Sequence, residues 1–104
     1  IGLMKRAAES ARSRFLSVRR EVAVSLKPFP FEDCSGILLE LIDSYDGSNR
    51  YYLEALGVAF SGKEDEVFRE LVSPRYPVPA MWSAKVRNLA WRLYTPEAIR
   101  ALDI

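Results

Sequence analysis

The chain has 104 residues, 49% apolar and 28% charged, which is enough for one small core and too little for two. It holds no histidine and one cysteine, Cys34, which excludes Ser-His-Asp and Cys-His catalysis, His-ligated zinc, an internal disulfide and a thiol-pair metal site within it. The net charge of +1 hides a division: residues 1–20 set Lys5, Arg6, Arg12, Arg14, Arg19 and Arg20 against Glu9 for a net of +5, leaving −4 for the rest.

Along the chain, residues 2–13 suit a helix of good formers, with Leu3, Ala7, Ala8 and Ala11 making one apolar face, broken near Ser13. Phe15, Val18, Val22 and Leu26 recur at helical spacing, and Lys27-Pro28-Phe29-Pro30 ends that segment because proline has no amide hydrogen to give. A third helix over 32–43 rests on Ile37, Leu38, Leu41 and Ile42. Tyr45-Asp46-Gly47-Ser48 then makes a turn in which Asp or Ser can cap the next helix. The segment 49–60 repeats the spacing through Tyr52, Leu53, Leu56 and Ala59. Ser61, followed three residues later by Glu64, predicts a capping box for a short fifth helix carrying Val67, Phe68 and Leu71. Three prolines between Pro74 and Pro79 require an extended connection. A sixth helix comes next, from about Ala80 or Ser83 to Leu93. Thr95-Pro96 opens a seventh over 96–102, with Thr95 as N-cap and Pro96 in the first turn.

No segment alternates with period two, and no apolar run approaches the length of a membrane-spanning helix. The opening on Ile1 and the ending Ala101-Leu102-Asp103-Ile104 read as a fragment of a longer chain. The expected organisation is a single helical domain over 1–104, paired as about 2–27, 32–60 and 63–93 with a terminal helix.

Arg20, Arg50 and Arg87 set a common register. Each is followed two residues later by Val22, Tyr52 or Leu89, three later by Ala23, Leu53 or Ala90, and six later by Leu26, Leu56 or Leu93. The intervals of 30 and 37 residues match a helix pair with its turns, the unit of a stack in which neighbouring pairs share one core. The arginines are expected at the start of each second helix, bonding to a neighbouring turn or acid.

The run Val18-Arg19-Arg20-Glu21-Val22-Ala23-Val24-Ser25-Leu26 resembles the second helix of a HEAT repeat, and Asp46 followed by Arg50 is similar to the Asp and Arg that punctuate such repeats. The stretch from Tyr45 to Ala59, with Leu89-Ala90-Trp91-Arg92-Leu93, resembles the helical-repeat region of large bacterial membrane-bound dehydrogenase and haem c proteins. The resemblance spans roughly residues 14–102. It departs from the repeat pattern where no Asp precedes Arg20 or Arg87 as Asp46 precedes Arg50, and in the long Pro74–Pro79 connection. It implies an all-α fold, a right-handed stack of antiparallel helix pairs. It also implies an extracytoplasmic setting and redox chemistry carried elsewhere in the parent, since this chain has no Cys-x-x-Cys-His motif for haem.

Within the chain no cofactor is expected. Asp43 and Asp46 supply too few oxygens for calcium, Glu64-Asp65-Glu66 suits a helix start, and Cys34 suits a core position. Tyr52 and Trp91 are expected to face inward. The candidates for partner contact are Arg12, Arg14, Arg19, Tyr51, Trp82 and Tyr94, and the structural repeat positions are Arg20, Asp46, Arg50 and Arg87. The expected function is a non-catalytic interaction or scaffolding module whose partner is a protein or another domain of its parent. The alternative is a nucleic-acid binder using the basic first twenty residues.

Overall fold

A computed structural model describes residues 2–102, with side chains from residue 4 onward. Among the described residues the fold is all-helical, without strands. The elements are α1 (Gly2–Ser10), α2 (Leu16–Ser25), α3 (Phe31–Asp43), α4 (Arg50–Phe60), α5 (Glu64–Val67), α6 (Ala84–Leu93) and α7 (Pro96–Leu102). A π turn, Phe68–Val72, continues α5, and a 3₁₀ turn, Pro79–Met81, interrupts the proline-rich connection.

Local chemistry accounts for most of these limits. The prolines before Phe31 end one segment and release the next. The Asn49 side chain accepts the amide of Tyr52 at 2.9 Å and so caps α4. Asp46 holds the preceding turn, its Oδ1 accepting the amides of Ser48 and Asn49 at 2.8 and 2.9 Å, and the cap itself falls to Asn49. Thr95 caps α7 by accepting the Ala98 amide at 3.1 Å, with Pro96 as its first residue. The first helix stops at Ser10, short of Ser13, and turns through Arg12. In that helix the side chain of Leu3 lies outside the described residues, while Ala11 beyond its end is fully buried.

The predicted capping box does not form. Ser61 closes α4, Gly62 takes φ +79°, and Lys63 precedes α5 without a side-chain cap bond. The left-handed turn at Gly62, a conformation glycine adopts without steric cost, assigns Ser61 to the helix behind it.

The core is built from Leu26, Leu38, Leu41, Ile42, Leu56 and Leu89, all fully buried, each contributing about 1.5–3 kcal/mol by burial. Tyr52, 1% exposed, joins α4 to α3 by donating its hydroxyl to the Leu41 carbonyl at 2.7 Å. Trp91 corrects the expectation of an inward face: it is 54% exposed, because Leu89, Ala90 and Leu93 occupy the buried side of α6. Phe15 is likewise 57% exposed at the start of α2.

Burial obeys one register in three helices. The second and sixth residues after Arg20, Arg50 and Arg87 are buried in every case, and the fourth (Val24, Glu54 or Trp91) is exposed in every case. The arginines themselves begin only one of the three helices. Arg50 is the first residue of α4, whereas Arg20 and Arg87 lie inside α2 and α6, since those helices start earlier in the register. None of the three side chains forms a hydrogen bond or ion pair among the described residues.

Helix α2 packs on α4 and α4 on α6, while α1 packs on α3 and α3 on α5; α7 folds back on α6. The molecule measures 42 × 25 × 19 Å. No helix among the described residues is long and apolar enough to cross a membrane.

Candidate functional site

An open groove of about 770 Å³ lies between α2 and α4. Val24, Ala55 and Val58 give it an apolar lining, Tyr51 stands on one wall, and Arg20, Glu21 and Glu54 supply its charges. Tyr51 is 69% exposed and Val24 51% exposed, so both present apolar surface to solvent. The Arg20 guanidinium lies over the Tyr51 ring at 5.8 Å, a cation–π contact that bridges the two walls at one end.

At the other end the groove is locked from beneath by Lys63. This side chain is 4% exposed, and its ammonium donates to the carbonyls of Leu26 at 3.3 Å, Lys27 at 3.2 Å and Ala59 at 2.7 Å. Those carbonyls lie at the C-terminal ends of α2 and α4, where Lys63 joins the Phe29 amide on the Leu26 carbonyl and meets the negative dipole ends of both helices. All three of its donors are used, so a buried charge is tolerated where an unpaired one would not be. Sequence reading missed Lys63, which looks like an ordinary surface lysine beside an acidic run. Only Gly62 hinted at the reversal that buries it.

The sequence-derived candidates scatter. Arg12 pairs with Glu40 at 3.5 Å, both ends well exposed. Arg14 lies over the Phe15 ring at 5.0 Å. Arg19 turns inward: its Nη1 donates to the Ser13 carbonyl at 2.7 Å, its Nε is buried without a partner, and its guanidinium sits 5.5 Å over Tyr52. It closes the α1–α2 turn and is not presented to solvent as a free cation. Trp82 is half-buried, edge-on to Phe68 at 6.2 Å, with its indole nitrogen donating to the Tyr76 carbonyl at 2.8 Å. Tyr94 is 65% exposed and stacks on Trp91 at 6.4 Å, holding φ +55° at the end of α6. Of these candidates only Tyr51 lines the groove, together with the repeat position Arg20.

The remaining titratable features are structural. Burial pushes the Cys34 thiol up, with the charge of Lys63 pulling the other way, and its Sγ reaches the Pro30 carbonyl at 3.4 Å. A buried, protonated thiol is a poor nucleophile. The amides of Ser48 and Asn49 hold Asp46 below the usual carboxylate range. Burial lowers Lys85, whose ammonium donates to the Asp43 carbonyl at 3.2 Å, and Asp43 also pairs with Arg75. Asn88 adds bonds to the Gly47 carbonyl at 3.0 Å and the Tyr45 hydroxyl at 3.2 Å, so α6 grips the turn that leads into α4. No group of three or more potential metal ligands occurs among the described residues.

What the site offers chemically is a contact surface: aromatic and aliphatic side chains in an open groove whose lining carries one cation, Arg20, and two carboxylates, Glu21 and Glu54. Comparison with family models, curated proteins and solved structures finds no match to this chain.

Proposed function

We propose that this chain is a non-catalytic, HEAT-like helical-repeat module that binds a protein segment through the α2/α4 groove. The observation that carries the reading is the groove itself, with Tyr51 and Val24 more than half exposed beside the core they help to cover. Apolar side chains left open at the centre of a concave surface are the usual anchors of a protein contact.

The stack is supported by which helices touch and by where their ends fall. Lys63 reaches the C-terminal carbonyls of both α2 and α4, as expected if the two run the same way. Asn88 meets the turn before α4 and Arg92 meets Glu54 in its second turn, as expected if α6 lies beside α4 in the same direction. With α1, α3 and α5 in contact along the other side, this reads as two rows of helices. That is the arrangement of repeats which bury a shared core by stacking. The scaffolding role, the absence of a cofactor and a larger redox parent belong to the same reading.

A photocrosslinking residue at Val24, inserted in the parent protein, should give adducts that Tyr51→Ala abolishes. The same residue at Met81, exposed but outside the groove, should not. Equal adducts at the two positions contradict the proposal.

Nucleic-acid binding remains the second reading, favoured by Arg14 and Arg20 over the exposed rings of Phe15 and Tyr51. It loses Arg19 to the Ser13 carbonyl and Arg12 to Glu40. An affinity for single-stranded oligonucleotide that falls steeply with salt would support it over the groove proposal.

A further inference from the structure

We infer that the groove takes its partner in one direction: an acidic end seated against Arg20 and Arg50, then aliphatic side chains over Val24 and Val58. This rests on the reading of the groove as a binding surface and adds the chemistry of the segment that enters it.

The argument is one of charge and polarity. Arg20 stands at the head of the groove over Tyr51, and Arg50, just outside the lining, precedes Tyr51 as the first residue of α4. Both are exposed, and neither has a carboxylate partner among the described residues. Neither α2 nor α4 has an acidic side chain in its first turn, so the partial positive charge at the start of α4 adds to Arg50 unopposed. The contrast with α3 and α5 is sharp, since their first turns carry Glu32 and Asp33, and Glu64, Asp65 and Glu66. Beyond the head the groove changes character. Val24, Ala55 and Val58 make it apolar, and Glu54 is exposed on the α4 wall.

A uniformly anionic polymer would meet Arg20 well and then meet Glu21 and Glu54 badly, because like charges across a contact are costly. A peptide with carboxylates at one end only avoids that clash. Its aliphatic residues cover the exposed faces of Val24 and Tyr51, while Glu54 stays paired with Arg92. The fit is that of an amphipathic segment in a groove, with the charges fixing its direction.

The test uses two capped peptides of roughly 14 residues and identical composition, with leucines at helical spacing. One carries three glutamates at its N-terminal end, and the other carries them at its C-terminal end. A third peptide replaces glutamate by glutamine, and a single-stranded oligonucleotide completes the set. Each is titrated into the chain, with amide and methyl shifts followed by NMR. One of the two acidic peptides should shift Arg20, Val24, Tyr51 and Val58 and bind about tenfold more tightly than the other and than the glutamine version. Arg20→Gln with Arg50→Gln should remove that preference while leaving the folded spectrum intact. Equal affinity of all three peptides in the groove overturns the directional inference and leaves the groove reading standing. Peptide shifts confined to residues outside the groove, or no shift with any peptide, overturn both. Tighter binding of the oligonucleotide than of either peptide overturns the choice of a protein partner.

Discussion

Two junctions in this molecule share one register and end as different surfaces. Between α2 and α4 the groove is open; between α4 and α6 the corresponding space is covered. The residue responsible is Arg92, five positions after Arg87, where α4 has Ala55 and α2 has Ser25. Arg92 lies across Gly57, so that any β-carbon there would collide with its guanidinium, and its Nε bonds Glu54 at 3.2 Å. Ala55 has no such reach, and the space above it stays open. The difference shows how one outward position, over the same pattern of buried residues, decides whether the space between two neighbouring helices is open.

The largest expected effect lies beneath the open junction. Lys63→Ala leaves the buried Ala59 carbonyl and the part-buried Lys27 carbonyl without a donor, the Leu26 carbonyl keeping the Phe29 amide, and should lower the unfolding free energy by about 2 kcal/mol in urea titration. A loss below about 0.5 kcal/mol would mean that Lys63 is not the pin between α2 and α4. Gly47→Ala comes next. At φ +88°, with its β-carbon 3.2 Å from that of Lys85, it should cost about 1–2 kcal/mol and loosen the grip of α6 on the turn before α4.

Smaller effects bear on the covered junction. Gly57→Ala displaces Arg92 but improves helix propensity by roughly 1 kcal/mol, so stability should stay nearly unchanged while the Glu54 bond is lost. Arg92→Ala removes an exposed pair and should cost under about 1 kcal/mol, yet open a second groove visible as new methyl and aromatic shifts around Gly57 and Trp91. The smallest effect is the acid response of the turn. Asp46 is held low by two amides, so its contribution is fully present above the ordinary carboxylate pKa and fades as pH falls through its lower folded value. Asp46→Asn should flatten that part of the stability profile.

The helices were readable because prolines, Gly47 and the Thr95-Pro96 pair punctuate the chain at nearly every boundary. The register of Arg20, Arg50 and Arg87 could have placed Trp91 outside, since it aligns with Val24 and Glu54. Its size invited an inward reading that Leu89 and Leu93 had already filled. Lys63 was hidden for a different reason: its burial depends on carbonyls 36 and 37 residues away. The groove was equally hidden, because it exists only where Ala55 meets Val24 across two helices.

The central claim is that α2 and α4 run in the same direction, leaving an open groove headed by Arg20. A nitroxide at position 27, introduced as Lys27→Cys with Cys34→Ser, reads it directly through paramagnetic broadening of α4 amides. The account predicts the strongest broadening at Ala59 and Phe60 and little at Tyr51 and Tyr52. The reverse gradient would contradict it.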